Sequence, residues 1–182
     1  MIIKGKKVII RAIEKKDLEF LKEIINSPEL EYMENGFNFP VSSYGQELWY
    51  EGMNNYDRNQ RMIIEYDGKA IGYTCIVDID WKNRVAHTGI KIFSDEHRGK
   101  GLGKDAVMAI MRYCFYDMNL HKLTGYMIDY NKASLKLYVD KCGWKQEGIK
   151  RKEIFKNGTY HDLVIVGILK EEYDELINNL ER

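Results

Sequence analysis

The chain has 182 residues, the size of one domain, and its 45% hydrophobic and 31% charged residues exclude a disordered or low-complexity protein. Lysine plus arginine and aspartate plus glutamate both number 28, so no net field attracts nucleic acid or an anionic membrane. The three cysteines have no paired spacing and the four histidines lack the spacing of metal ligands. The sequence also shows no signal-peptide core and no apolar run long enough to cross a bilayer. We therefore expect one cytoplasmic domain over residues 1–182, with no metal, nucleic-acid or membrane partner.

The first half of the chain combines helical patterns with alternating strands. Leu18, Leu21 and Ile25 lie on one face of a predicted helix, which the Ser27-Pro28 pair ends. Asp67-Gly68 is a hairpin signal between two strands that begin an antiparallel meander. In chain order, the predicted elements are a strand over Lys7–Ile13, helices over Lys15–Asn26 and Ser43–Asn54 (the second capped by Ser42 or Ser43), and strands over Arg61–Tyr66, Ala70–Ile79 and Arg84–Phe93.

In the second half, helical patterns lie between strands. An apolar stripe that includes Val107 and Met111 predicts a helix that begins just after Gly103. The remaining predicted elements are a strand over Lys122–Ile128, a helix around Leu135 to Cys142 ended by Gly143, strands over Trp144–Phe155 and Tyr160–Leu169 joined by the Asn157-Gly158 turn, and a helix over Lys170–Asn179. Together these elements predict a single-domain α/β fold with a mixed, mostly antiparallel central sheet flanked by helices.

A glycine-rich turn joins the strand that ends at Phe93 to the following helix. Alternate glycines let the backbone approach a ligand, and N–H groups at a helix N-terminus suit a diphosphate, to which Arg98 and Lys104 add positive charge. The turn lacks the Walker A pattern because Arg98 and Asp105 replace a required glycine and a required Ser or Thr. Lys104 also replaces the third glycine of the dinucleotide-binding pattern. A plain surface turn is the alternative.

Two motifs, separated by a predicted helix and strand, carry a family resemblance. Arg98-Gly99-Lys100-Gly101-Leu102-Gly103 resembles the Arg/Gln-x-x-Gly-x-Gly/Ala loop of the GCN5-related N-acetyltransferase (GNAT) family. The segment from Asn131 through Tyr138 to Trp144 resembles a second motif of that family, with tryptophan in place of its final phenylalanine. The resemblance covers nearly the whole chain and is greatest to the branch that contains spermidine and ribosomal-protein N-terminal acetyltransferases. It implies a GNAT-like acyl-CoA N-acyltransferase fold.

The resemblance implies acetyl-CoA as the donor and a primary amine as the acceptor, which attacks the thioester directly. The backbone N–H groups of the glycine turn would hold the donor's diphosphate. The pantetheine arm would lie along the preceding strand like an added strand, where two strands splay. The residues expected to contact the donor are Lys91, Ile92, Phe93, Arg98, Gly99, Lys100, Gly101, Leu102, Gly103, Lys104, Asn131 and Ser134. We also expect a homodimer or a higher homo-oligomer.

Two residues are candidates for proton transfer. Tyr138 is the predicted acid, since a phenol pKa of about 10 is close to that of a leaving thiol; its helical stripe also allows a purely structural place in the core. Loss of its proton would lower the rate at alkaline pH. His87 lies on the strand that leads to the glycine turn and is the candidate base. A water held by Thr88 or by a backbone carbonyl is the alternative.

The acceptor and two competing functions stay open from sequence alone. Glu29, Glu31 and Glu34 are close together in an aromatic-rich stretch and form either an amine site or a solvated face. The acceptor is a polyamine, a peptide N-terminus or another small amine. Cys75, Cys114 and Cys142 lie in apolar patterns, which favours buried thiols over a thioester relay. A catalytically silent acyl-CoA-binding sensor or scaffold is the competing function, and it would not need Tyr138.

Overall fold

The computed structural model describes residues 2–36, 38–53, 58–93, 95–97 and 99–180. The strands are β1 (Ile3–Lys4), β2 (Ile9–Ala12), β3 (Gln60–Tyr66), β4 (Lys69–Asp80), β5 (Val85–Ile92), β6 (Lys122–Ile128), β7 (Lys145–Lys156) and β8 (Thr159–Leu169). The helices are α1 (Leu18–Ile25), α2 (Pro28–Tyr32), α3 (Ser43–Glu51), α4 (Leu102–Arg112), α5 (Lys132–Leu135) and α6 (Lys170–Leu180). Helix α4 continues as a π-helical segment over Tyr113–Asp117, and α5 continues as one over Lys136–Lys141.

Within these residues, eight strands form one sheet in the order β1-β2-β3-β4-β5-β6-β8-β7. Neighbouring strands are antiparallel except β5 and β6, which are parallel and are connected through α4. A parallel pair requires such a crossover connection. The predicted class, a mixed and mostly antiparallel α/β sheet flanked by helices, is confirmed.

Helices cover both faces of the sheet. Ile63 and Ile64 are adjacent in β3 and therefore point to opposite faces, and both side chains are fully buried. Ile64 belongs to the larger core, which includes buried residues of α4 and Tyr173 of α6. Ile63 belongs to a smaller core with residues of α1 and α3. Apolar alternation in the strands and the apolar stripes of α1 and α4 account for this packing on both faces of the sheet.

The structure corrects several predicted boundaries. Lys7–Ile13 is shortened to Ile9–Ala12, and a two-residue strand, Ile3–Lys4, precedes it and pairs with it. Ser27-Pro28 does not only end the first helix: the Ser27 hydroxyl caps a new short helix in which Pro28 occupies the first turn. Ser42 caps α3, which ends at Glu51, and Asn54 lies outside the described residues. Helix α4 begins at Leu102, one residue before Gly103.

Candidate functional site

A cleft opens where β5 and β6 separate. The two strands pair only over Val85–His87 and Lys122–Thr124, so residues 88–92 of β5 have no β6 partner within the described chain. The cleft has a volume of about 630 Å³. The predicted site residues that line it are His87, Lys91, Ile92, Gly99, Gly101, Leu102, Gly103, Lys104, Asn131, Ser134 and Tyr138. Two sequence motifs, on different elements, therefore meet in one cleft.

Three predicted donor contacts are not among the described residues that line the cleft. Phe93 packs its ring edge-on against Phe20, with ring centroids 5.9 Å apart, and is not among the described lining residues. Lys100 is exposed and is also not among them. Arg98 lies outside the described residues.

The glycine turn has the backbone that an anion cradle requires. Gly99 and Gly101 have φ angles of 78° and 79°, in the left-handed region that side chains with a Cβ rarely adopt. Gly101 is the residue before α4, so the turn leads directly into the N-terminus of a helix of eleven residues. Lys104 and Lys141 line the same part of the cleft and add positive charge. These features fit a diphosphate group.

Tyr138 is both a core residue and a cleft residue. Its side chain is only 3% exposed and packs edge-on against Trp144, with ring centroids 4.9 Å apart. Tyr138 lines the cleft, and its buried hydroxyl makes no hydrogen bond within the described part of the chain. Burial raises the pKa of Tyr138 above that of an ordinary phenol, and the Ile90 backbone opposes this only in part. The hydroxyl therefore stays protonated and is free to donate.

His87 lies at the point where β5 and β6 separate. Its ring stacks on Tyr126, with centroids 4.7 Å apart, and its Nδ1 atom is buried with no hydrogen-bond partner among the described residues. Burial lowers the pKa of His87 below its ordinary value, while the charge of Asp78 acts in the opposite direction. The imidazole is therefore neutral near pH 7, as a base must be. Thr88, the alternative water-holding residue, is buried and also lines the cleft.

Asn131 caps the helix that carries Tyr138. Its Oδ1 atom accepts a hydrogen bond from the N–H of Ser134 at 3.1 Å, and its Nδ2 atom donates to the carbonyl of Met33 at 3.3 Å. The side chain thus joins α5 to the segment that follows α2, across one end of the cleft. Asn131 and Ser134 both line the cleft, where a donor contact remains a prediction.

The three candidate acidic residues have different places. Glu29 and Glu34 line the cleft, whereas Glu31 forms an ion pair with Lys156, whose Nζ also donates to the carbonyls of Glu31 and Gly36. Glu34 forms an ion pair with Lys91. Burial lowers the pKa of Lys91 to about 8, whereas the Glu34 carboxylate favours its charged form. The lining thus contains two groups: Glu29, Glu34, Tyr73 and Tyr126, called here the acidic and aromatic wall, and the glycine turn with Lys104 and Lys141, called the glycine-rich wall.

Two lining residues have no distinctive sequence signal. Tyr73 lies beneath the Lys91 ammonium, with its ring centroid 5.1 Å from Nζ, and Tyr126 stacks on His87. His97 is also half-buried, lines the cleft and has an unpartnered Nδ1 atom within the described chain. Strand alternation alone does not reveal which aromatic residues face a cleft, because the position of the cleft depends on where β5 and β6 separate.

The three cysteines are free thiols. Cys114 and Cys142 are fully buried, and Cys75 lines the cleft with burial raising its pKa, so that it stays a protonated thiol. No group of three or more His, Cys, Asp or Glu side chains among the described residues is arranged to hold a metal ion. In the same residues, no helix has the length and apolar character needed to cross a membrane.

Known proteins are similar to this chain in sequence and fold. Residues 7–145 match the family described as an acetyltransferase (GNAT) domain. A spermidine N(1)-acetyltransferase of Vibrio cholerae is 28% identical and covers 90% of this chain and 94% of its own length. A putative ribosomal N-acetyltransferase of Bacillus subtilis is 27% identical, with coverages of 92% and 93%. The crystal structure of a Vibrio cholerae spermidine N-acetyltransferase in complex with CoA and spermine has a TM-score of 0.85 at 27% identity, with coverages of 93% and 99%.

Proposed function

The chain belongs to the GNAT acetyltransferase family and is an N-acetyltransferase, and from this premise we propose that it transfers an acetyl group from acetyl-CoA directly to a primary amine. The observation that carries the proposal is the cleft at the β5–β6 separation, which brings the glycine turn and the unpartnered Tyr138 hydroxyl together. A silent CoA-binding module would need the glycine turn but not this hydroxyl.

The glycine-rich wall is the proposed donor site. Backbone N–H groups of residues 99–104, with the α4 N-terminus and Lys104, would bind the diphosphate. Ile90 and Ile92 lie on the part of β5 that has no β6 partner within the described chain, and their backbone would pair with the amides of the pantetheine arm. Acetyl-CoA supplies the activated acetyl thioester. A neighbour solved with CoA supports this choice of donor.

The chemistry takes two protons from an ammonium acceptor and delivers one proton to the leaving thiolate. The amine must lose a proton to attack the thioester carbonyl, and His87, neutral and at the same cleft, would accept it directly or through water. As the carbon–nitrogen bond forms, the nitrogen loses its second proton to solvent, and the carbon–sulfur bond then breaks. Tyr138 would donate its hydroxyl proton to the leaving CoA thiolate, and solvent or the His87 proton would later restore the phenol.

The acidic and aromatic wall is the proposed acceptor side. A cationic amine would be attracted by Glu29 and Glu34 and by the faces of Tyr73 and Tyr126. Glu34 already has a lysine partner, so an ammonium group of the acceptor would have to share or replace that contact. Relatives named spermidine N(1)-acetyltransferase make spermidine the first acceptor to test.

The proposal is tested by thiol release from acetyl-CoA with spermidine, a peptide with a free N-terminus, an aminoglycoside and an amino sugar. We expect stoichiometric free CoA and acetylated amine with at least one of them. CoA binding by calorimetry without turnover on any amine would instead favour the silent sensor or scaffold.

A further inference from the structure

The turn between β1 and β2 is fastened to the first turn of α4. The Asp105 carboxylate accepts the backbone N–H groups of Lys6 at 2.8 Å, Lys7 at 2.6 Å and Val8 at 2.9 Å. Hydrogen bonds to a charged carboxylate are stronger than neutral ones, and a negative charge in the first turn of a helix is stabilised by the helix dipole. The β1–β2 hairpin therefore braces the helix into which the glycine turn leads.

Lys7 also holds the glycine turn itself. Its Nζ donates to the carbonyl oxygen of Lys100 at 2.8 Å. The described chain has no cis peptide bond, and in a trans peptide the C=O and N–H groups point in opposite directions. The N–H of Gly101 therefore points away from Lys7. Gly101 lines the cleft, so the Lys7 contact fixes the peptide group that leads into a cleft-lining residue of the turn.

We propose that Lys7 and Asp105 are positioning residues that hold the glycine turn in its anion-binding conformation before CoA binds; the inference rests on the proposed acetyl-CoA donor. A turn rich in glycine loses much conformational freedom when it is ordered, and a conformation ordered in advance lowers the cost of binding. Lys7 acts through the Lys100–Gly101 peptide, and Asp105 acts through the backbone of the β1–β2 turn.

The test compares three lysine variants by calorimetry with CoA. Lys7 is exposed, so Lys7→Met leaves the core intact, and we expect the Kd of CoA to rise roughly tenfold, the value of one charge-assisted hydrogen bond. Lys7→Arg keeps a charged donor and should restore the Kd to within about threefold of wild type. Lys4→Met removes the same charge from an exposed lysine of the same hairpin and should leave the Kd unchanged.

A truncated donor separates positioning from a general loss of stability. S-acetylpantetheine lacks the diphosphate, so Lys7→Met should reduce kcat/KM for acetyl-CoA and leave kcat/KM for S-acetylpantetheine unchanged. Asp105→Asn replaces one accepting oxygen with a donor and should raise the Kd of CoA in the same direction. Equal losses with both donors, or an unchanged Kd in Lys7→Met, would overturn the inference alone. Failure of the wild-type protein to bind CoA would overturn the proposed function as well.

Discussion

Replacing Gly101 with valine tests the glycine turn directly. Gly101 has a φ of 79°, and a residue with a Cβ in this left-handed region costs about 1–2 kcal/mol, with β-branched residues at the upper end. The nearest atom to a Cβ placed there is the Lys7 Nζ at 3.8 Å, an ordinary contact, so the cost is in the backbone rather than in a steric clash. The turn of the variant should relax, and CoA must restore it. A cost of about 1–2 kcal/mol raises the Kd of CoA roughly 5- to 30-fold.

Calorimetry with CoA measures this change, and Gly68→Val is the matched control. Gly68 has a φ of 71°, and a Cβ there meets nothing within 4 Å, but it lies in the β3–β4 turn and not in the cleft. Its variant should lose a similar amount of stability and keep the wild-type Kd. Gly101→Asn should lie between wild type and Gly101→Val, because asparagine tolerates the left-handed region. A folded Gly101→Val protein with wild-type affinity would refute the reasoning.

Three further predictions concern the chemistry. The value of kcat/KM should rise with pH as the acceptor amine, with a pKa of about 10.4, loses its proton. His87→Gln should lower kcat/KM near pH 7. A pH profile of His87→Gln that matches the wild-type profile would assign the base to a water chain. Because burial raises the pKa of Tyr138, the alkaline decline expected of an ordinary phenol should be absent below about pH 10, and a decline below that pH which Tyr138→Phe abolishes would contradict this. Cys75→Ala should keep near wild-type turnover with no acetylated enzyme detectable by mass spectrometry, since burial keeps the Cys75 thiol protonated; a trapped acetyl-enzyme would revive the thioester relay.

Local patterns predicted the elements that form the cleft. The strand over Lys122–Ile128 has the predicted bounds, and the Asn157-Gly158 turn joins β7 to β8 as expected. Period suffices for β6 because buried residues alternate along most of the strand, and turn chemistry suffices for the hairpin because asparagine-glycine is a strong hairpin signal. The sequence does not separate a catalytic from a purely structural role for Tyr138, and the reason is physical. A stripe of apolar residues predicts burial, and a buried tyrosine can also line a cleft.

The remainder depends on contacts between residues distant in sequence. Strand β1 has two residues and no period, and its turn is held by Asp105, about a hundred residues away in the chain. The Glu34–Lys91 ion pair likewise joins the segment that follows α2 to strand β5. Helix α2 is different, because Ser27 followed by Pro28 is a recognised signal for the start of a helix, and the prediction uses it only as the end of α1. Its misassignment is an error of interpretation and not a missing signal.

The measurement that tests the account most directly is the single-turnover rate of acetyl transfer in Tyr138→Phe. The Tyr138 hydroxyl has no hydrogen-bond partner in the described chain, so its removal should leave thermal stability and the Kd of CoA at or near wild-type values. Loss of a positioned proton donor should lower the rate roughly 10²- to 10⁴-fold. A near wild-type rate on the acceptor would contradict the account and leave Tyr138 a core residue only.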